Sequence, residues 1–317
     1  MGLPDRYSLS NALDAAREPD KIINELKFVG LKLNASYTRY RGSDDHCDIV
    51  EEDWDTLVIL DGCRYDLFER MNTISGNLES RQSAGSESWE FLRTNFEGRE
   101  LHDTVYLTAN PHAPKLSDGT FHRRINVLES RWDEKLRTVL PGDMTDEAIR
   151  VHEMYPNKRI IVHYMQPHFP FIGKKGKKIN QSGITGNSEE REESTEQPHI
   201  WYGLMRNRLD VSEKEVYEAY EENLSLTLPH VKELLENIKG KTVVTSDHGN
   251  LTGESLRPIP VKGYGHPRGL HVDKLVTVPW LVIDNGRRRA VTEDPPRELE
   301  RVDDDLVERR LSDLGYN

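Results

Sequence analysis

The chain has 317 residues, enough for one large domain with a sizeable core, although only 35% of them are hydrophobic. Its net charge of −12 excludes a general nucleic-acid binder, which would carry a basic stripe, and its two cysteines exclude a disulfide framework. No apolar run of about 18 residues and no apolar signal core occur, so we expect a cytoplasmic protein without a transmembrane segment.

Residues 1–52 are polar, and the apolar spacing between Ile22 and Leu33 suits one amphipathic helix, so we expect an N-terminal helical extension. From residue 53 onward, strand-like runs alternate with helical patterns. The strand-like runs are 56–60, 104–109, 159–164, 242–246 and 279–284, and the helical patterns lie near 64–72, 88–97, 143–154 and 212–238. This alternation predicts an α/β domain over 53–317, with a largely parallel central sheet and helices on both faces.

The first strand-like run ends in Asp61-Gly62, which places a carboxylate directly after a buried strand. Ligands of open α/β sheets bind beyond the carboxyl ends of the strands, so Asp61 is a candidate ligand-binding residue. The alternative is that Asp61 only caps the helix that follows.

Two serines, Ser86 and Ser88, precede an apolar run that predicts a helix start. A hydroxyl at a helix N-terminus is favoured by the positive end of the helix dipole, which stabilises both an alkoxide and an incoming anion. Coordination to a divalent cation would lower the pKa of the hydroxyl further. The alternative is that either serine is only an N-cap.

The β-rich run from Arg159 onward ends in the loop Gln166–Pro170, where two prolines flank His168 and hold its imidazole at low entropic cost. His168 is therefore a candidate functional residue, whereas His163 lies inside the strand pattern and is interpreted as a core histidine with satisfied hydrogen bonds. Residues 173–199 are charged and rich in Gly and Ser, which predicts a mobile polar loop. This loop is either a lid over the site or a solvated charge run.

Thr242–Thr245 predict a short buried strand that ends on Asp247, His248 and Gly249. A carboxylate oxygen and an imidazole nitrogen side by side suit one divalent cation, and the glycine allows a tight turn afterwards. The alternative is that the pair merely caps a turn. Because three strand ends of this chain carry acidic or imidazole groups, we predict a metal site.

Five segments, taken in chain order, resemble the alkaline phosphatase superfamily, in particular its sulfatase-like and phosphoethanolamine-transferase-like branch. They are LVILDG, GSES, HYMQPHFP, TSDHG and YGHPRGLHVDKLVTVPW. The resemblance implies a metal-dependent enzyme with Ser88 as the attacking residue and Ser86 as the fallback. The implied metal ligands are Asp61, Asp247 and His248, and the implied contacts to the substrate are His168 and His266.

The sequence also departs from this branch. Neither Cys47 nor Cys63 lies in the Cys-x-Pro/Ala-x-Arg pattern that sulfatases mature to formylglycine, which disfavours ordinary sulfate-ester hydrolysis. Gly62 stands where paired aspartates are usual. We expect one divalent cation, zinc or manganese, and leave a second open at His266 and His271.

The resulting hypothesis is hydrolysis or transfer of a phosphate-type ester through a covalent seryl intermediate. Arg64 would add a bidentate contact to the same anion, with an ion pair to Asp66 as the alternative. The expected partner is an anionic ester, with glycan-linked and lipid-linked esters both open, and no nucleic acid. Two alternatives remain: a sulfuric-ester hydrolase or glycan- or lipid-modifying transferase using the same pocket, and a catalytically degenerate binding protein.

Overall fold

The computed structural model of the chain describes residues 19–41, 46–179, 200–207, 209–297 and 303–314. The helices are α1 (Pro19–Arg41), α2 (Tyr65–Met71), α3 (Ser88–Phe96), α4 (Pro141–Met154), α5 (Lys174–Ile179), α6 (Ile200–Met205), α7 (Glu213–Asn237), α8 (Asp273–Val276) and α9 (Asp304–Leu314). The strands are β1 (Thr56–Leu60), β2 (Asn77–Gln82), β3 (Leu101–Thr108), β4 (Phe121–Asn126), β5 (Trp132–Asp133), β6 (Thr138–Val139), β7 (Arg159–Tyr164), β8 (Gly240–Thr245), β9 (Leu251–Ser255), β10 (Lys262–Gly265) and β11 (Thr277–Asn285).

Seven strands form the central sheet in the order β2-β11-β8-β1-β7-β3-β4. The pairs β8-β1, β1-β7, β7-β3 and β3-β4 are parallel, and only β11 runs against its neighbours β2 and β8. The sheet is therefore mostly parallel, and the predicted α/β fold is confirmed. Two further pairs, β9-β10 and β5-β6, are antiparallel.

The central strands are buried on both faces because alternate side chains point to opposite sides of the sheet. Val58 and Leu60 of β1 belong to the core on one face, which α4 and α7 cover. Leu57 and Ile59 of the same strand belong to the core on the other face, together with Phe91 of α3. Helix α3 thus packs on the second face, and its N-terminus lies near the carboxyl ends of the strands.

Ser212 is the N-cap of helix α7, and its side chain and that of Glu215 form a reciprocal capping box. Pro229 lies inside α7, which continues to Asn237, so the proline does not split the helix.

The predicted mobile polar loop at 173–199 is wrong in its first part, because Lys174–Ile179 form helix α5. Gly176 makes this possible, since a Cβ at this position would stand 2.1 Å from the carbonyl oxygen of Phe171. Lys175 Nζ lies 3.0 Å from Glu218 Oε2 on α7. This lysine, part of the sequence interpreted as a solvated charge run, therefore forms an ion pair with the rest of the protein. Residues 180–199, and the lid hypothesis with them, lie outside the described residues.

Helix α1 is longer than the predicted Ile22–Leu33 pattern and docks on the rest of the chain through Asn34. The Asn34 side chain donates to the carbonyl of Ile259 at 2.8 Å and accepts from its amide at 2.9 Å. The division between an extension and a catalytic domain at residue 53 stays a prediction. No helix in the described part of the chain combines the length and apolar character needed to cross a membrane.

Candidate metal centre and active site

The adjacent parallel strands β8, β1, β7 and β3 end at the same edge of the sheet, and polar side chains collect there. Asp61 follows β1, Asp247 and His248 follow β8, His163 lies near the end of β7, and Asn110 follows β3. All five are buried. The convergence that the sequence predicted for Asp61, Asp247 and His248 therefore exists, and two further side chains join it.

Ser88 lies at the centre of this cluster as the first residue of α3. Its hydroxyl donates to Asp247 Oδ2 at 2.7 Å and lies 3.3 Å from both Asp61 Oδ2 and His248 Nε2. Glu87, not Ser88, is the N-cap of the helix, and its carboxylate accepts from two backbone amides of the first turn. The Ser88 hydroxyl is thus directed at the acidic groups instead of capping its own helix.

Backbone and amide donors hold both carboxylates in place. Asp247 Oδ1 accepts from the amides of Gly62 at 3.0 Å and His248 at 2.9 Å, while its Oδ2 faces Ser88. The Asn110 side chain donates to Asp61 Oδ2 at 2.7 Å. Gly62 has a φ of +65°, a conformation that a glycine adopts without strain.

His163 faces the carboxylates, so the interpretation of this residue as a satisfied core histidine is wrong. Its Nδ1 is bonded to the hydroxyl of Tyr106 at 2.9 Å, but its Nε2 has no hydrogen-bond partner. That Nε2 lies 3.6 Å from Asp61 Oδ2 and 3.7 Å from Asp247 Oδ2. The strand pattern showed His163 to be buried but could not show that its ring points toward a strand-end aspartate.

Asp61, His163 and Asp247 form a group that could hold a metal ion, since one ligand atom from each lies within 4.8 Å of the others. The fit is supported by two buried atoms without hydrogen-bond partners, Asp61 Oδ1 and His163 Nε2. Unpartnered buried polar atoms are costly, and direct bonds to a cation would satisfy both. The predicted ligand His248 lies beside the group, with Nε2 3.6 Å from Asp61 Oδ1.

The three histidines predicted around the substrate or metal come together. The ring centroids of His248 and His266 are 4.7 Å apart, and those of His168 and His266 are 4.8 Å apart. His248 Nδ1 donates to the carbonyl of Gly249 at 2.7 Å, and His168 Nδ1 donates to that of Phe169. Because a carbonyl only accepts, a neutral ring at either position keeps its Nε2 as a lone-pair donor.

Burial and neighbouring charges act in opposite directions on Asp61. Burial raises its pKa, but the charges of the neighbouring His168, His248 and His163 rings together hold the pKa well below its ordinary range. Burial lowers the pKa of His168, whereas at His248 the lowering by burial is outweighed by the charges of Asp247 and Asp61, which raise the pKa. Asp61 is therefore ionised in the folded protein, which suits cation binding.

Three other candidates lie outside the cluster. Ser86 donates to Glu90 Oε2 at 2.9 Å and accepts from the amide of Gly269, so its hydroxyl stabilises a loop. The Arg64 guanidinium makes a bidentate pair with Asp66 at 2.7 and 2.8 Å, which is the alternative given for it above, and a further ion pair with Glu254.

His271, the other residue considered for a second metal, is also engaged elsewhere, with Nε2 3.1 Å from Glu90 Oε1. Asn110 was missed by the sequence reasoning, although it is a polar residue at the end of a predicted strand. The same signal that selected Asp61 would have found it.

No family model and no curated protein matches the sequence. Among solved structures, the integral membrane lipooligosaccharide phosphoethanolamine transferase A from Neisseria meningitidis is similar, with a TM-score of 0.44 and 11% identity. The match covers 71% of this chain and 47% of the transferase, so the chain spans about half its length.

The C-terminal periplasmic domain of EcEptC from Escherichia coli, a complex with Zn, gives a TM-score of 0.42 at 14% identity, covering 71% and 72% of the two chains. BT1596, a 2-O GAG sulfatase, gives 0.43 at 12%, covering 82% and 70%. Phosphoethanolamine transferases and sulfatases, the proteins named by the sequence resemblance, are thus structural neighbours. An integral membrane protein and a periplasmic domain give no support to the expected cytoplasmic location, which stays a prediction.

Proposed function

We propose that the protein is a metal-dependent enzyme that hydrolyses or transfers phosphate-type esters, with Ser88 as the nucleophile. The observation that carries the proposal is the position of the Ser88 hydroxyl, within 3.3 Å of Asp61, Asp247 and His248 at the N-terminus of α3. A serine that only stabilised the fold would not need two buried carboxylates and an imidazole around it.

The proposed metal ligands are Asp61, Asp247 and His248, and His163 joins them because its unpartnered Nε2 faces both carboxylates. Zinc and manganese suit such a mixture of carboxylate oxygens and imidazole nitrogens. A bound divalent cation would lower the pKa of the Ser88 hydroxyl and offset the negative charge of the ester. One site is proposed, with a second left open at His266, since His271 is engaged with Glu90.

Side chains of the site would supply the nucleophile, the proton acceptor and the contacts to the substrate. Ser88 Oγ forms a bond to phosphorus while the bond from phosphorus to the ester oxygen breaks. Asp247 Oδ2, which accepts from the hydroxyl at 2.7 Å, is placed to take its proton. His168 and His266 would bind nonbridging oxygens of the substrate. Water or an acceptor hydroxyl then attacks phosphorus and breaks the bond to the serine.

Two variants and a control test the proposal. We expect Asp247→Asn to lose both bound metal, measured by mass spectrometry after dialysis against zinc or manganese, and turnover of aryl phosphate mono- and diesters. Ser88→Ala should retain most of the metal but lose turnover by about a thousandfold or more. Asp305→Asn, an exposed carboxylate on α9, should change neither. Unchanged metal content in Asp247→Asn would end the metal assignment, and unchanged turnover in Ser88→Ala would exclude Ser88 as the nucleophile.

Assays on the same purified protein distinguish the phosphoesterase from the alternative functions. Competition between an aryl sulfate and an aryl phosphate distinguishes a sulfuric-ester hydrolase from a phosphoesterase. Release of the ester group to water or to an added glycan or lipid hydroxyl distinguishes hydrolysis from transfer. A protein that binds metal but turns over none of these esters would be the degenerate binding protein.

A further inference from the structure

The outward face of helix α1 is the most apolar exposed surface of the described chain. Among the described residues, seven of the eleven large hydrophobic side chains that are exposed lie on this one helix, and Leu26, Leu33 and Tyr40 are 64%, 53% and 90% exposed. The seven residues are Ile22, Ile23, Leu26, Val29, Leu33, Tyr37 and Tyr40. Single exposed hydrophobic residues are ordinary, but a continuous row of them marks an interaction surface.

The row lies opposite the face by which α1 is attached. Ile22, Leu26, Val29, Leu33 and Tyr40 follow the three- and four-residue spacing that places side chains on one face of a helix. The attached face has the same spacing, offset by about half a turn: Leu31 and Ala35 pack in a small apolar core, and Asn34 bonds Ile259. The helix is therefore held by one face and presents the other to its surroundings.

Helix α1 is basic, whereas the chain as a whole is acidic. Pro19–Arg41 contains five Lys and Arg residues and two Asp and Glu residues, a net charge of +3, whereas the whole chain carries −12. Lys32 is exposed on one flank of the apolar row, whereas Lys27 Nζ donates to the carbonyl of Met205 at 2.8 Å and the Arg39 guanidinium lies against Gly269. A basic helix with an exposed apolar face on an otherwise acidic protein is typical of a segment that lies in the surface of an anionic membrane.

We propose that this face of α1 docks on an anionic lipid surface, with its apolar row among the acyl chains, Lys32 at the headgroups and the net positive charge of the helix adding to the attraction. The acidic remainder of the chain would be repelled by the same surface, which orients the protein with α1 inward. A second copy of the chain fits less well, because packing α1 on α1 brings together two helices of net charge +3. Tyr37 and Tyr40 suit the boundary between headgroups and hydrocarbon, since their rings are apolar and their hydroxyls polar.

Docking would bring the candidate site close to the lipid surface, although it does not depend on the chemistry proposed for that site. Thr38 Oγ1 accepts from the amide of His271 at 3.1 Å, and the Arg39 side chain lies against Gly269. Both contacts are to the loop that carries His266. This loop therefore lies about one helix diameter, roughly 10 Å, from the proposed lipid surface.

Sedimentation of the full chain with lipid vesicles tests the proposal. One set of vesicles is phosphatidylcholine alone, and the other contains roughly 30% phosphatidylglycerol, enough to give a negative surface potential. We expect binding to the anionic vesicles that weakens as salt is added. The double variant Leu26→Ser/Leu33→Ser should bind about tenfold more weakly or worse, because two half-exposed leucines lose their transfer into hydrocarbon.

A matched control is Leu226→Ser, which removes a leucine of similar exposure from α7 and should bind like the natural chain. Lys32→Glu should weaken binding to the anionic vesicles while unfolding temperature is unchanged. Absence of binding, or equal binding by Leu26→Ser/Leu33→Ser, would overturn the proposal. A dimer in analytical ultracentrifugation that this double variant converts to a monomer would overturn it in favour of a second copy.

Discussion

The hydrogen bond between Tyr106 and His163 gives the sharpest test of the candidate metal centre. Both side chains are fully buried, and the phenol lies 2.9 Å from Nδ1 on the far side of the ring from the carboxylates. A partner of this kind fixes the orientation and tautomer of a metal-binding histidine, and its loss typically costs about 10- to 100-fold in metal affinity. We therefore predict that Tyr106→Phe weakens zinc or manganese binding by that factor.

The same substitution leaves a buried ring nitrogen without its partner, which costs about 1–3 kcal/mol of folding free energy. Tyr164→Phe is the matched control, because Tyr164 is equally buried and its hydroxyl bonds Thr145 Oγ1 at 2.7 Å on the opposite face of the sheet. We expect both variants to lower the unfolding temperature by a few degrees and only Tyr106→Phe to lower metal affinity. Calorimetric titration with metal would refute the assignment of His163 if both variants bound like the natural chain, or if both weakened alike.

Two further predictions concern the backbone and the pH dependence of stability. Gly62 and Gly98 have φ of +65° and +74°, so alanine at either position should lower the free energy of unfolding by about 1 kcal/mol, measured by chemical denaturation. Only Gly62→Ala should also lower turnover, because its Cβ would lie 3.5 Å from the rings of His168 and His248. Equal turnover in the two variants would contradict this. Burial lowers the pKa of His152 to about 4 from an ordinary 6.5. As pH falls, this imidazole is therefore protonated in the unfolded chain before it is protonated in the folded protein. About 3 kcal/mol of folding stability should be lost between pH 6.5 and pH 4. His152→Gln should reduce the pH dependence of the unfolding free energy over that range. An unchanged pH dependence in this variant would refute the assigned cause.

Most of the sheet could be predicted from the sequence because its central strands are buried along most of their length and rich in Val, Ile and Leu. β1, β7 and β8 are continuous buried runs, and their ends carried the signal that located Asp61 and the Asp247-His248 pair. β2 escaped prediction because it is an edge strand that is mostly exposed and polar, so it has no buried run to detect.

The same limit explains the errors at the site. A sequence pattern gives the order of residues along a strand but not which strands are neighbours, so it could not show that β3 pairs with β7 and brings Asn110 to Asp61. Nor could it show the direction of the Arg64 guanidinium, which depends on the position of Glu254, 190 residues away in the chain.

The partners of the two buried aspartates support the proposed cation over a purely structural role for the cluster. Burying a carboxylate costs several kcal/mol unless a counter-charge is close, and here two of them lie around one hydroxyl. In the part of the chain that the structure describes, the ion pairs of Asp61 and Asp247 are with the imidazoles of His163 and His248. Imidazoles supply positive charge only when protonated, and a protonated Nε2 cannot serve as a ligand. The proposed divalent cation would remove this conflict, because it would neutralise both carboxylates and accept the lone pairs of neutral imidazoles at the same time.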